Sequence, residues 1–169
     1  MGVFAQHMTS PNLILELIQS IRPQKTNHDL IRIGPDRDGG YLVPNDLKDI
    51  TVGFSPGVDT NSSFELDLLN KFGINSHLAD YSVDGPAQSF EPKSFIKKYL
   101  GTYNSDVFLT FDDWLEMQPE HKVDGDFLLQ MDIEGSEYAT LLTLKEKNLK
   151  RFRIMVIEFH EIEHWSDPS

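Results

Sequence analysis

A cluster of histidine and glutamate near the end of the chain has the spacing of a hydrolytic zinc site. His160, Glu161 and His164 spell H-E-x-x-H within VIEFHEIEHWSDPS. On a helix, this spacing puts two imidazoles on one face with a glutamate beside them to activate water. The preceding run, RIMVIEF, is instead rich in strand-forming residues, and only five residues follow His164. The context therefore favours a strand that ends near His160, and a zinc hydrolase remains the alternative.

Three carboxylates follow another apolar run, DFLLQM. Asp132, Glu134 and Glu137 surround Gly135 in MDIEGSEY. Glu137 fits the first turn of a helix, where negative charge is favourable. Asp132 directly follows the apolar run, and it could hold a cofactor ammonium, a substrate hydroxyl or a divalent metal.

The last apolar run also ends in groups that can do chemistry. Glu158 interrupts IMVIEF, so we expect it to be partly buried and paired. His160 follows it at the strand end, where an imidazole is suited to act as a general base. A surface or structural histidine is the alternative interpretation.

A glycine-containing loop follows the first buried run. In GFSPGVDTNSS, Gly53 and Gly57 would allow a tight turn and let a ligand approach the backbone. Asp80 lies 23 residues after Gly57 and directly follows the next apolar run. An acidic residue at that place can accept both ribose hydroxyls of a nucleoside cofactor. An ordinary strand-to-helix turn and a solvated aspartate are the alternatives.

The elements that must position these residues alternate between strand and helix. Apolar periodicity predicts a first helix in SPNLILELIQSIRP with Ser10 as its cap, and a hairpin in LIRIGPDRDGGYLVP. Helices are also predicted for SSFELDLLNKFG, with a capping box from Ser62 to Glu65, for the segment after Thr110, which would pair with Asp113, and for SEYATLLTLKEKN. The predicted strands are ITVGF (50–54), INSHLAD (74–80), KSFIKKYLG (93–101), the short VFLT, DFLLQM (126–131) and RIMVIEF (153–159).

This alternation indicates an α/β fold with a parallel sheet, in which ligands bind at the carboxyl ends of the strands. We expect a helical segment over residues 1–28 and an α/β region over residues 29–169, within a single domain overall. The chain has 169 residues, which suits one domain of ordinary size.

Composition limits the classes of partner. The net charge of −12 gives no general attraction to nucleic acid or to an anionic membrane, so we expect neither as a partner. There are no cysteines, which excludes disulfides, thiolate metal sites and cysteine nucleophiles. Without a membrane-span or signal-peptide pattern, the default expectation is a cytoplasmic protein.

At these motifs the sequence resembles the FkbM-type methyltransferases, a branch of the class I S-adenosylmethionine-dependent enzymes. The resemblance rests on DFLLQMDIEGSEYATL followed by IMVIEFH, and on RIGPDRDGGYLVP, VGFSPGVDTNSSFELDLL, HLADYS and FLTFDDWL upstream. It implies a doubly wound, mostly parallel Rossmann-like sheet, S-adenosylmethionine as cofactor, and methylation of a hydroxyl on a sugar or natural-product-like small molecule.

The resemblance also implies roles for single residues. Gly53, Ser55 and Gly57 would wrap the methionine end of the cofactor, Asp80 would hold the ribose, and Tyr81 would lie beside the adenosine. Asp132 would stand at the methyl-transfer cleft. The G-x-x-x-G spacing also disfavours a nicotinamide cofactor, because a pyrophosphate usually requires the G-x-G-x-x-G turn.

Deprotonation of the acceptor leaves two alternatives. In a metal-free site, His160 is the candidate base that would take the proton of the acceptor hydroxyl. In the alternative, Asp132, Glu158 and His160 would together bind a divalent metal ion.

A complete class I sheet has seven strands, and here the pattern stops after the fifth. The sequence therefore predicts a sheet that lacks its last strands, with an edge through which a second copy could pair. A fold that binds cofactor or a partner without turnover is the non-enzymatic alternative.

Overall fold

The computed structural model describes residues 9–162, which belong to two compact units. One unit combines the described residues before His28 with those after Phe159. It contains helix α1 (Pro11–Ser20), which begins with proline and has no buried residue. Ser10 occupies the N-cap position, as predicted, but its side chain makes no cap hydrogen bond. No helix within residues 9–162 is both long and apolar enough to cross a membrane.

The other unit, His28–Phe159, carries the α/β fold. In chain order its elements are β1 (Leu30–Ile33), β2 (Tyr41–Pro44), β3 (Ile50–Pro56), α2 (Ser63–Phe72), β4 (Ser76–Ala79), β5 (Ser94–Ile96), β6 (Tyr99–Gly101), β7 (Phe108–Thr110), α3 (Phe111–Glu116), a 3-10 helix (Pro119–Lys122), β8 (Asp126–Met131), α4 (Glu137–Thr143), α5 (Glu146–Leu149) and β9 (Phe152–Ile157).

Five of the strands form one sheet in which every pairing is parallel. The spatial order is β5-β4-β3-β8-β9. Counted along the chain within this sheet, the order is 3-2-1-4-5, the doubly wound arrangement, and the chain reverses direction across the sheet between β3 and β8. The antiparallel hairpin of β1 and β2 and the parallel pair of β6 and β7 form two small sheets.

Apolar side chains cover both faces of this sheet, which is why its strands read as nearly continuous hydrophobic runs. On one face, the Phe54 ring contacts the rings of Trp114, Phe127 and Phe152 at centroid distances of 5.2 to 5.8 Å. On the other face, α2 and the hairpin pack together in a second buried cluster, with Phe64 of α2 as its largest ring. The two clusters hold the strand ends in a fixed arrangement.

Most sequence-predicted elements are confirmed, including the hairpin and the end of α2 at Gly73, which has a left-handed backbone. The capping pair at α3 is also confirmed, because the Asp113 amide donates to Thr110 Oγ1 at 3.2 Å. The capping box at α2 was wrong. The Ser62 amide donates to the Gln88 side chain, so Glu65 is not engaged with it.

Two predicted elements are each divided in the structure. Residues 93–101 form β5 and β6, which belong to different sheets. The helix predicted over residues 136–148 is interrupted between α4 and α5. The reason lies in a distant carboxylate: Asp112 accepts hydrogen bonds from the Lys145 amide at 3.3 Å and from Asn148 Nδ2 at 2.5 Å, and so caps α5.

Candidate active site

A cavity of about 540 Å³ opens at the carboxyl ends of β3, β4 and β8. This is where the strand order reverses, the usual place for a ligand in an open α/β sheet. Its volume lies within the range of small-molecule and cofactor sites. Four of the segments singled out in the sequence meet here: the loop after β3, the residue after β4, the turn after β8, and the hairpin.

The wall of the cavity is strongly acidic. Six carboxylate side chains line it, and no lysine, arginine or histidine does among the residues the structure describes. They are Asp38, Asp59, Glu65, Asp80, Asp132 and Glu134. A concave site lined by one sign of charge concentrates ligands of the opposite sign. The cavity therefore favours a cationic ligand and disfavours phosphate groups.

Gly57 brings the ends of β3 and β8 into close contact. Its backbone has φ +80°, and its amide donates to the Ala79 carbonyl at 2.9 Å. A Cβ on Gly57 would lie 1.6 Å from the Asp132 carbonyl oxygen. Only glycine fits here, for both reasons. Gly53 and Ser55, by contrast, lie inside β3, so the turn begins later than the sequence predicted.

Asp80 ties the loop after β3 to the end of β4. Its side chain accepts a hydrogen bond from the Asp59 amide at 2.8 Å, and from the Ser82 amide and hydroxyl at 2.7 Å each. Asp80 is buried and lines the cavity. Carboxylate oxygens can accept more than one hydrogen bond, so these contacts leave room for ribose hydroxyls. The ribose role itself stays a prediction.

Aromatic rings form the side of the cavity next to Asp80. Tyr99 and Phe108 line it, with ring centroids 5.9 Å apart. Tyr81 contacts the Tyr99 ring at 5.3 Å and is 38% exposed. Flat rings of this kind can stack on a nucleobase. The sequence indicated Tyr81 but not Tyr99. Residues 93–101 were predicted as one strand, and that pattern gave no sign that Tyr99 lies in β6, outside the five-stranded sheet.

Tyr41 joins the two strand ends that carry Asp132 and Glu158. Its hydroxyl lies 3.0 Å from Glu158 Oε2 and 3.5 Å from Asp132 Oδ2. Burial raises the pKa of Tyr41 above its ordinary value, and the Asp132 charge and the Glu158 hydrogen bond act in the same direction. The phenol therefore stays protonated and donates its one hydrogen to Glu158, the nearer carboxylate, while Asp132 lies at the limit of hydrogen-bond distance.

The structure changes the sequence-based interpretation of Glu158 and of Tyr41. The partner expected for Glu158 is present, but this side chain is exposed rather than partly buried. Tyr41 was assigned only to a hairpin, and its position directly after Gly39 and Gly40 was the one available signal.

Glu137 shapes the turn that carries Asp132. It is fully buried, and its carboxylate accepts hydrogen bonds from the amides of Ile133 at 3.1 Å and Gly135 at 3.1 to 3.2 Å. Glu134 and Gly135 have φ of +54° and +99°. The sequence assigned Glu137 to the helix N-terminus, and the side chain additionally holds this tight turn in place.

His160 belongs to the terminal unit rather than to the α/β unit. Its role as a general base or metal ligand stays a prediction. Glu161 has φ +56°, which a right-handed helix does not allow, so no regular helix runs through the first part of H-E-x-x-H. His164 lies outside the described residues. The backbone at Glu161 thus weighs against the zinc-hydrolase alternative.

The strand order and the cavity at its reversal point define a Rossmann-like α/β protein. The model of the methyltransferase FkbM domain family matches residues 20–168, and the chain belongs to this family. It is therefore a methyltransferase-family protein, as the sequence motifs indicated. Neither the curated proteins nor the solved structures contain a significant match to the chain.

Proposed function

We propose that the protein transfers a methyl group from S-adenosylmethionine to a hydroxyl of a sugar or natural-product-like small molecule. The observation that carries the cofactor assignment is the acidic wall of the cavity. S-Adenosylmethionine has a sulfonium and an ammonium, opposed by one carboxylate, and so bears net positive charge. Nucleotides with phosphate groups would meet six carboxylates there.

The residues around the cavity fit the parts of this cofactor. The loop at Gly57, together with Gly53 and Ser55 inside β3, would hold the methionine end. Asp80 would accept the ribose hydroxyls. Tyr81, together with Tyr99 on the cavity wall, would lie beside the adenine.

The cofactor supplies a methyl group on an electron-poor sulfur, which an acceptor oxygen can attack in line. The protein must then orient that oxygen and take its proton. Asp132, on the cavity wall, would receive the proton, and Tyr41 would fix the carboxylate by its hydrogen-bonding contacts with Asp132 and Glu158. His160 is kept as the alternative base. If a divalent metal activated the acceptor instead of a base, a chelator would abolish methyl transfer. We favour the metal-free site and therefore expect chelator-treated protein to keep its activity.

Substitution of Asp132 tests the chemical role separately from binding. We expect Asp132→Asn to lower methyl transfer to hydroxyl acceptors by roughly 100-fold or more, since an amide cannot take the proton. Binding of S-adenosylhomocysteine should change by no more than severalfold. The measurement is product formation from methyl-labelled S-adenosylmethionine with a panel of sugars and polyhydroxylated small molecules.

The matched control is Glu134→Gln, which removes a neighbouring carboxylate of the same cavity wall. It should retain most of the transfer activity. Wild-type transfer to amines alone would contradict O-methylation. Equal activity of Asp132→Asn and wild type would remove Asp132 from the chemistry.

A further inference from the structure

Glu65 is a buried carboxylate that the reaction described above does not use. It lies in the first turn of α2, is 2% exposed, and lines the cavity. Glu65 Oε2 and the neighbouring Ser55 Oγ are both buried, and neither makes a hydrogen bond of ordinary geometry in the described part of the chain. A buried, unpaired charge is costly, and in most proteins such a group has a partner.

Among the described residues, no lysine, arginine or histidine lines the cavity that Glu65 faces. The charged groups that face the same cavity are carboxylates from four other segments: Asp38, Asp59, Asp80, and the pair Asp132 and Glu134. On its own helix, Lys71 pairs with Asp67 at 2.6 Å. A cationic ligand in the cavity would therefore supply a countercharge that no described residue lining it provides.

We propose that Glu65 is the specificity residue that pairs with the α-ammonium of the amino-acid end of S-adenosylmethionine or S-adenosylhomocysteine. This inference rests on the proposed cofactor. An ammonium has three N–H donors, whereas a sulfonium has none, so of the two cationic groups only the ammonium can hydrogen-bond to the buried oxygens of Glu65 and Ser55. No cationic side chain among the described lining residues competes with the ammonium for Glu65.

The protonation state of Glu65 gives this pairing a distinctive signature. Burial raises the pKa of Glu65 to about 7, and the nearby Ser55 hydroxyl lowers it by a smaller amount. An adjacent cation favours the charged form of a carboxylate. Binding should therefore expel a proton from Glu65 near neutral pH. The affinity should rise as the pH rises through 7, by roughly tenfold between about pH 6 and pH 8, because only the ionised form binds well.

The test is calorimetric titration of the full chain with S-adenosylhomocysteine in two buffers of different ionisation enthalpy, at a pH near 7. We expect the wild type to release a fraction of a proton for each ligand bound. Glu65→Gln should release none and bind roughly tenfold or more weakly at pH 8. Glu65→Asp, which keeps the charge, should restore proton release.

The outcomes separate this inference from the proposed function. No binding by folded wild type refutes the cofactor assignment itself. Binding without proton release, or undiminished affinity and release in Glu65→Gln, overturns only the role of Glu65. If Glu65→Gln does not fold, the wild-type pH profile decides: a rise in affinity through pH 7 supports the pairing, and a flat profile overturns it.

Discussion

Gly57→Ala should destabilise the protein by about 3 kcal/mol or more and abolish measurable binding of S-adenosylhomocysteine. Two costs combine at this residue. The left-handed backbone, φ +80°, is unfavourable for alanine, and the added Cβ would overlap the Asp132 carbonyl oxygen. The overlap is with backbone atoms, so relief requires the ends of β3 and β8 to separate. The measurements are denaturant unfolding and ligand titration.

Gly73→Ala is the matched control for this experiment. Gly73 has a similar φ, +70°, but a Cβ there would have no atom within 4 Å. Gly73→Ala should lower the free energy of unfolding by about 1 to 2 kcal/mol, the cost of the left-handed backbone alone, and leave ligand binding intact. If the two variants prove equally stable and both bind ligand, then close contact between Gly57 and the Asp132 turn does not shape the site.

Asp80→Ala should weaken binding of S-adenosylhomocysteine by roughly 100-fold or more, because two hydrogen bonds to a charged group together contribute at least about 3 kcal/mol. The substitution removes the proposed acceptor for both ribose hydroxyls. It also releases the Asp59 amide and Ser82, which Asp80 now holds. Isothermal titration of the variant measures the loss.

Ser82→Ala separates the two roles of Asp80. It removes one hydrogen bond to the carboxylate and leaves the acceptor in place. We expect its affinity to change by less than about threefold. An Asp80→Ala variant that binds as tightly as wild type would exclude the ribose assignment.

Much of the fold was predictable because hydrophobic periodicity reports local structure. The runs that became β3, β8 and β9 are apolar along their length, and Gly73 signals the end of α2. The divided elements were not predictable, because their causes are distant in sequence. The break before α5 depends on Asp112, which lies more than thirty residues earlier.

The same distinction applies to the candidate site. Residues that directly follow apolar runs, such as Asp80 and Asp132, were found because the carboxyl ends of parallel strands meet at one edge. Tyr41 and Glu65 were assigned to local structures, a hairpin and a capping box. Their positions on the cavity wall depend on how the hairpin and α2 pack against the sheet, and local sequence patterns do not predict that packing.

Calorimetric titration of the folded protein with S-adenosylmethionine and S-adenosylhomocysteine tests the central claim most directly, with ATP as the anionic control. The proposed function predicts one site with affinity of about micromolar order for both adenosyl ligands. The acidic cavity predicts no binding of ATP. Circular dichroism should verify the fold in the same sample. The absence of binding heat with both adenosyl ligands, in protein that is folded, would contradict the proposed cofactor.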